Sequence, residues 1–225
     1  MDIINSNNIL LITTTIADQT CKKSIRRNKN ILKHMNIYKI NVYFNIGVKN
    51  ICKNDLMYNN LKNMFEFFKN SKIDNTYGII CDNDFEPHEN FMEELNTTVK
   101  LLPTDWRSLH LCPGFLWNRQ KRLKTKGYLS PEGYIKDLSF DISGRFFINC
   151  GNGDFFKKQI WLGGPIAILV NKNTIDNLLN NYINFYNTNS SQPNDVILTS
   201  ILNNNDYVCR FPLLGYENEQ GGSCF

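Results

Sequence analysis

No two of the seven cysteines are spaced as a CxxC pair. Cys21, Cys52, Cys81, Cys112, Cys150, Cys209 and Cys224 stand singly and are odd in number, which argues against a disulfide framework and against a zinc cluster. Reduced thiols and a cytoplasmic location are the simplest expectation. The first residues, MDIINSNNILLITTT, carry no basic leader region, and nowhere is there an apolar run long enough to span a bilayer. No transmembrane segment is expected, and any work near a membrane would be peripheral. Internal repeats and a recognisable linker are also missing.

What is present suits one folded unit. The 225 residues, 42% of them hydrophobic and 12% aromatic, suffice for one sizeable core, and a single domain over 1–225 is expected. The net charge of +4 is unevenly spread: residues 1–70 hold 11 Lys+Arg against 4 Asp+Glu, and residues 71–225 hold 14 against 17. A basic first third suits a phosphate-binding cleft or a nucleic-acid surface, and it also suits a plain solvated face. Asn-rich stretches such as NKNTIDNLLNNYINFYNTNSS keep a hydrophobic period, so they read as folded.

Apolar periodicity gives the element order. Ile9–Thr15 reads as a strand; Ile25, Leu32 and Met35 mark a helix; Ile40–Ile46 is a second strand. A helix over Leu56–Phe68 places Leu61, Met64, Phe65 and Phe68 on one face, and Tyr77–Cys81 is a short buried strand. Asn90–Leu102 is helical up to Pro103, and Arg107–Cys112 is a further strand. Gly127–Phe156 has no helical period and reads as hairpins or a long functional loop. Order returns with a strand at Ile166–Val170 and helices over Thr174–Phe185 and Asp195–Leu202. Such alternation implies an α/β fold, a mainly parallel sheet flanked by helices.

The strand at Tyr77–Cys81 runs into Asp82-Asn83-Asp84. Open α/β sheets bind ligands at the carboxyl ends of their strands, and an extended chain would turn both carboxylates to the same side. Two such carboxylates repel unless a cation lies between them, and a divalent ion shared with substrate phosphates is the usual answer. A bare DxD is most often an acidic turn; the buried strand in front of it is what favours a ligand site. Asp82, Asp84, Glu86 and Glu93 also fall where a calcium-binding EF-hand loop has its acids. That loop needs glycine at its sixth position, where this chain has Pro87, so the EF-hand reading fails.

GIICDNDFEPHENFMEEL, PTDWRSLHL, WLGGPIAILVNKNTIDNLL and QPNDVIL, in that order, resemble the motifs of the GT-A glycosyltransferases, and within them glycosyltransferase family 25, the lipooligosaccharide and procollagen galactosyltransferases. The resemblance spans about residues 77–202. Its first motif there usually reads Glu-Asp-Asp, so the middle position departs here while both outer acids remain. The composition also resembles that of large DNA viruses that encode their own glycosylation enzymes.

The resemblance implies a GT-A fold with a nucleotide-binding half (1–112) and an acceptor-binding half (113–225). It implies a hexosyltransferase that takes a nucleotide sugar, a UDP-sugar by analogy, and inverts at the sugar carbon. Asp84 would be a direct ligand of Mn²⁺ or Mg²⁺, with Asp82 on the ribose or on the metal through water. Thr13, Thr14 and Thr15 would meet the nucleotide base, Arg26 or Arg27 the diphosphate, and Gly163 and Gly164 the sugar or phosphate. Asp195 would be the catalytic base acting on a glycan or glycoprotein hydroxyl. By residue type alone Asp195 is equally an N-cap, the glycines a turn, and most of Lys22, Arg26, Lys29 and Lys33 a solvated face. The family often supplies a late histidine to the metal, whereas His34, His88 and His110 all precede Asp195. An inactive nucleotide- or glycan-binding scaffold is one alternative. A nucleic-acid module using the basic third and NRQKRLKTK is another; that run lacks interleaved aromatics, so no nucleic-acid partner is expected.

Overall fold

In the computed structural model, residues 4–16, 21–47, 53–72, 76–87, 90–111, 167–209 and 214–216 are described. The chain runs β1 (Ile9–Ile16), α1 (Lys22–Tyr38), β2 (Asn41–Gly47), α2 (Lys53–Asn70), β3 (Tyr77–Cys81), β4 (Phe85–Pro87), α3 (Phe91–Val99) and β5 (Ser108–His110). It resumes with β6 (Ala167–Asn171), α4 (Ile175–Thr188), α5 (Asn194–Ser200), β7 (Asp206–Val208) and β8 (Leu214–Tyr216). Among the described residues, the expected strands and helices are found in the expected order. The three-residue strands β4, β7 and β8 are additions, being too short to show a period.

Among the described residues, six strands form one sheet in the order β2-β1-β3-β6-β5-β7. All run parallel except β6, which is antiparallel to both β3 and β5. A separate antiparallel pair joins β4 to β8. The fold is therefore α/β with a mainly parallel sheet, as the alternation of elements implies. Every residue of β3 and β6 is buried, as befits strands covered on both faces.

Side-chain alternation splits the core into two layers. Ile9, Leu11 and Ile79 pack with α1 and α3, while Leu10, Ile12, Ile80, Ile168 and Val170 pack with α2, α4 and α5. The α2 face is as expected: Leu61, Met64, Phe65 and Phe68 are all buried. It lies close on β3 because residue 78 is glycine, where a Cβ would stand 2.9 Å from the Phe68 ring.

The helix marked by Ile25, Leu32 and Met35 is α1, but its inward face is not those three residues. Of Ile25, Leu32 and Met35 only Met35 is buried; the inward face is Ser24, Arg27, Ile31 and Met35, at helical spacing, and Ile25 and Leu32 look outward. Apolar type alone misled here because two polar side chains, Ser24 and Arg27, occupy the inner stripe. Lys39, in the left-handed region at φ 55°, ends the helix: its N–H donates to the Asn36 carbonyl and the next N–H, that of Ile40, donates to the Met35 carbonyl.

Candidate active site

The parallel strands β1 and β3 end side by side, with Thr13 of β1 opposite Cys81 of β3. Beyond Cys81 the chain does not continue extended: Asn83 and Asp84 form a turn into β4. The turn, and not strand alternation, therefore sets where the two carboxylates point. Asp82 and Asp84 are half-buried and Asn83 is buried. Together with burial, which is the larger effect, the two carboxylates push the Cys81 thiol well above its ordinary pKa, so it stays a neutral thiol.

Arg27 meets this turn from α1. Its guanidinium donates to Asp84 Oδ2 at 2.9 Å and to Asn83 Oδ1 at 3.4 Å. The side chain of Arg27 is 7% exposed and that of Asp84 24%, so the pair is largely withdrawn from water. Arg26 is on the exposed face of α1, so the arginine turned to the acidic turn is Arg27. One helical step separates them, and the Ser24-Arg27-Ile31-Met35 stripe is the signal that tells them apart.

The threonines divide between layers. Thr13 and Thr15 alternate with Leu11 toward α1, whereas Thr14 alternates with Ile12 toward α2. All three are buried. Thr15 Oγ1 accepts from Asn28 Nδ2 at 2.7 Å and lies 3.3 Å from Ser24 Oγ. Further along, Asn30 Nδ2 donates to Glu86 Oε1 at 2.7 Å. A polar seam thus runs between α1 and the β3–β4 turn. Neither Ser24 nor Asn28 belongs to a sequence motif; Ser24 is marked only by its place on the inner stripe, and Asn28 follows it one helical turn later at the edge of that stripe.

Asp195 belongs to the other layer. It lies in the first turn of α5, after Pro193 as N-cap, and its Oδ1 accepts from the Val196 N–H at 3.0 Å. The preceding Asn194 is buried, accepts from the Tyr182 hydroxyl at 2.6 Å and donates to the Met57 carbonyl at 2.6 Å. Met57 is near the start of α2, which follows the carboxyl end of β2. Asp195 is therefore held at the carboxyl end of the sheet, as Asp84 is, but on the opposite face. Gly163 and Gly164, with His88, the segment 127–156 and the tryptophans Trp117 and Trp161, whose rings suit stacking on a sugar face or a place in the core, lie outside the described residues.

Whether a divalent cation suits the turn is decided by Asp84. Its Oδ1 is buried without a hydrogen-bond partner, an arrangement that water or an ion commonly relieves. Carboxylate oxygens are the donors a hard cation takes, so Mn²⁺ or Mg²⁺ fits. Among the described residues no three His, Cys, Asp or Glu side chains are grouped to hold a metal. Two carboxylates plus phosphate and water oxygens are the usual set for Mg²⁺ in nucleotide sites.

No family model matches the chain, and no curated protein matches its sequence. Among solved structures it is similar to a glycosyltransferase involved in the glycosylation of the major capsid of PBCV-1, with a TM-score of 0.55 and 7% identity over 94% of each chain. The likeness spans nearly the whole of both chains and shows a shared fold, a GT-A-like arrangement of the sheet and helices.

Proposed function

We propose that this chain is a glycosyltransferase that moves a hexose from a nucleotide sugar, a UDP-sugar by analogy with family 25, to a hydroxyl of a glycan or protein. The observation that carries the reading is the buried, unpartnered Asp84 Oδ1 at the carboxyl end of β3, with the Arg27 guanidinium beside it. A carboxylate oxygen kept out of water calls for a cation, and a fixed arginine next to it suits a diphosphate. Support for sugar transfer as the reaction comes from the shared fold, and from the order of motifs resembling family 25.

Asp84, through Oδ1, and Asp82 would hold Mn²⁺ or Mg²⁺. When bound, the ion would neutralise charge that builds on the leaving diphosphate. The chain's own part begins with Arg27, which Asn83 and Asp84 fix so that its charge is already placed, without reorganisation. Thr13 and Thr15, with Asn28 bound to Thr15, would form the wall against which the nucleoside rests. Asp195 would take the acceptor's proton as the hydroxyl oxygen bonds to the sugar carbon and the bond to the diphosphate oxygen breaks. One displacement of this kind inverts the sugar carbon.

The test is isothermal titration of UDP, with and without Mn²⁺, into the wild type, Asp84→Asn and Asp84→Ala. Metal-dependent binding that both variants lose supports the donor site and directs a screen of UDP-sugars. A wild-type protein that takes up no UDP under any condition would overturn the reading.

A further inference from the structure

Among the described residues, the two edges of the main sheet are built differently. Edge strand β7 has three residues and carries the buried Asp206, two features that keep a sheet edge from pairing with another chain. At the other edge β2 pairs with β1 over seven consecutive residues without a bulge, and its sequence NVYFNIG contains neither proline nor a charged side chain. No strand among the described residues lies along its outer side. Ile46, 61% exposed, alternates with Val42 and Phe44 and so faces the α1 side of the sheet. On the other face Tyr43, 37% exposed, stacks on Phe67 of α2 with ring centroids 3.5 Å apart.

α1 adds to this edge. Asn28 bonds Thr15 on β1, whereas Asn30, on the opposite flank, bonds Glu86 of β4, beyond β3. Ile25 and Leu32 stand one turn before and one turn after Asn28, so theirs is the flank turned to β2. Both are exposed, by 37% and 41%. Ile25, Leu32 and Ile46 thus border one face of the β2 edge with aliphatic side chains, and Tyr43 borders the other. Solubility favours few exposed large apolar groups, and a solvent-facing edge is ordinarily blunted by lysine, proline or a bulge. This edge has the character of one that is covered.

We infer that the β2 edge pairs antiparallel with the β2 edge of a second copy of this chain, joining their sheets into one. About a twofold axis at Phe44, Val42 lies opposite Ile46 of the second copy and Tyr43 opposite its Asn45, and the flanks carrying Ile25 and Leu32 meet across the seam. The strand suits itself because it is uncharged: no like charges oppose when it meets its own copy, and a charged peptide would find nothing on it to complement. A bilayer interior offers no partner to edge N–H and C=O groups, and among the described residues no helix is long and apolar enough to cross a membrane. An edge of this length, with one side-chain layer on each face, is a strip about 23 Å long and about 20 Å deep, on the order of 1,000 Å² over both copies, where specific interfaces begin. The acidic turn after β3 lies beyond β1 from this edge, so the interface does not include it.

Sedimentation velocity and light scattering of the whole chain, across the micromolar range, test the inference. The wild type should show a mass of twice 26.2 kDa. Ile46→Lys and Leu32→Lys should each raise the dimer Kd by about tenfold or more, because an edge lysine opposes pairing. Both positions are exposed, so the variants should keep the fold, which an unchanged urea midpoint checks. As a test of register, Val42→Cys/Ile46→Cys should form a covalent dimer on oxidation more readily than the wild type or either single substitution. UDP titration of the same variants reads the candidate site separately, so failure here leaves the proposed function standing. A monomer at every concentration, a dimer that withstands both lysine substitutions, or no gain in cross-linking by the paired cysteines would overturn the inference.

Discussion

Arg27 and Asp84 make the outcome of mutagenesis at the acidic turn depend on more than the lost ligand. Removing the carboxylate strands a guanidinium that is nearly buried, and charge-assisted hydrogen bonds of this kind are each worth about 1.5–3 kcal/mol. Asp84→Asn should therefore lose roughly 1–3 kcal/mol of stability, read as a lower urea midpoint at unchanged slope, while keeping the fold. Arg27→Lys should lose a similar amount, because an ammonium lacks the fork that reaches Asn83 and Asp84 together. An unchanged urea midpoint in both would mean that the pair is solvated. At this scale the sequence identifies the acids but not their partner. Asp82-Asn83-Asp84 stands out as a motif, whereas choosing Arg27 over Arg26 requires knowing which face of α1 is buried. That face is marked by one serine and one arginine where aliphatic residues would be looked for.

Strands β5 and β7 are held at their amino ends by a buried charge network. Arg107 Nε donates to Asp206 Oδ1 at 2.9 Å, and the same guanidinium also bonds Asp206 Oδ2, the Ile201 carbonyl and Asn177 Oδ1. Ser108 and the Asn203 N–H complete the carboxylate. Four elements meet there, so Asp206→Asn should destabilise by about 3–5 kcal/mol, a drop in the urea midpoint that sugar transfer itself would not report. At the other end of β5, His110 is buried, and burial, together with Arg107 and against the pull of Asp206, lowers its pKa from 6.5 to about 4. Between those values the unfolded chain holds the extra proton, so stability rises with pH through the window. About 3 kcal/mol is present above pH 6.5 and lost by pH 4. Urea midpoints between pH 7 and pH 5 should fall steadily, and His110→Gln should flatten the slope; an equal slope in the variant would assign the dependence to other groups. Long elements such as α2 were legible because each repeats its period several times. The three-residue strands β4, β7 and β8 were not, since a single alternation is no pattern and their pairing partners are distant in sequence.

Across the whole molecule, alternating strands and helices foretold a mainly parallel sheet, while the reversal of β6 between β3 and β5 had no local mark. Direction is set by where the chain re-enters the sheet, and the long stretch before β6 has no period from which to read it. The consequence for the site is that β1 and β3, which carry Thr13, Thr15 and the acidic turn, sit centrally and are braced by helices on both faces. A ligand bound there should stabilise the fold as one unit. At a nucleotide concentration of about 100 times Kd, linkage supplies about 2.7 kcal/mol, which for a chain of this size corresponds to a rise in Tm of roughly 5–10 °C. We expect that rise with UDP and Mn²⁺ together in the wild type, a small part of it with UDP alone, and none in Asp84→Asn. Because the variant starts from a lower Tm, the comparison is of the shift and not of the absolute value. A full shift retained in Asp84→Asn would place the nucleotide away from the β3–β4 turn, and the unpartnered Asp84 Oδ1 would then need another explanation.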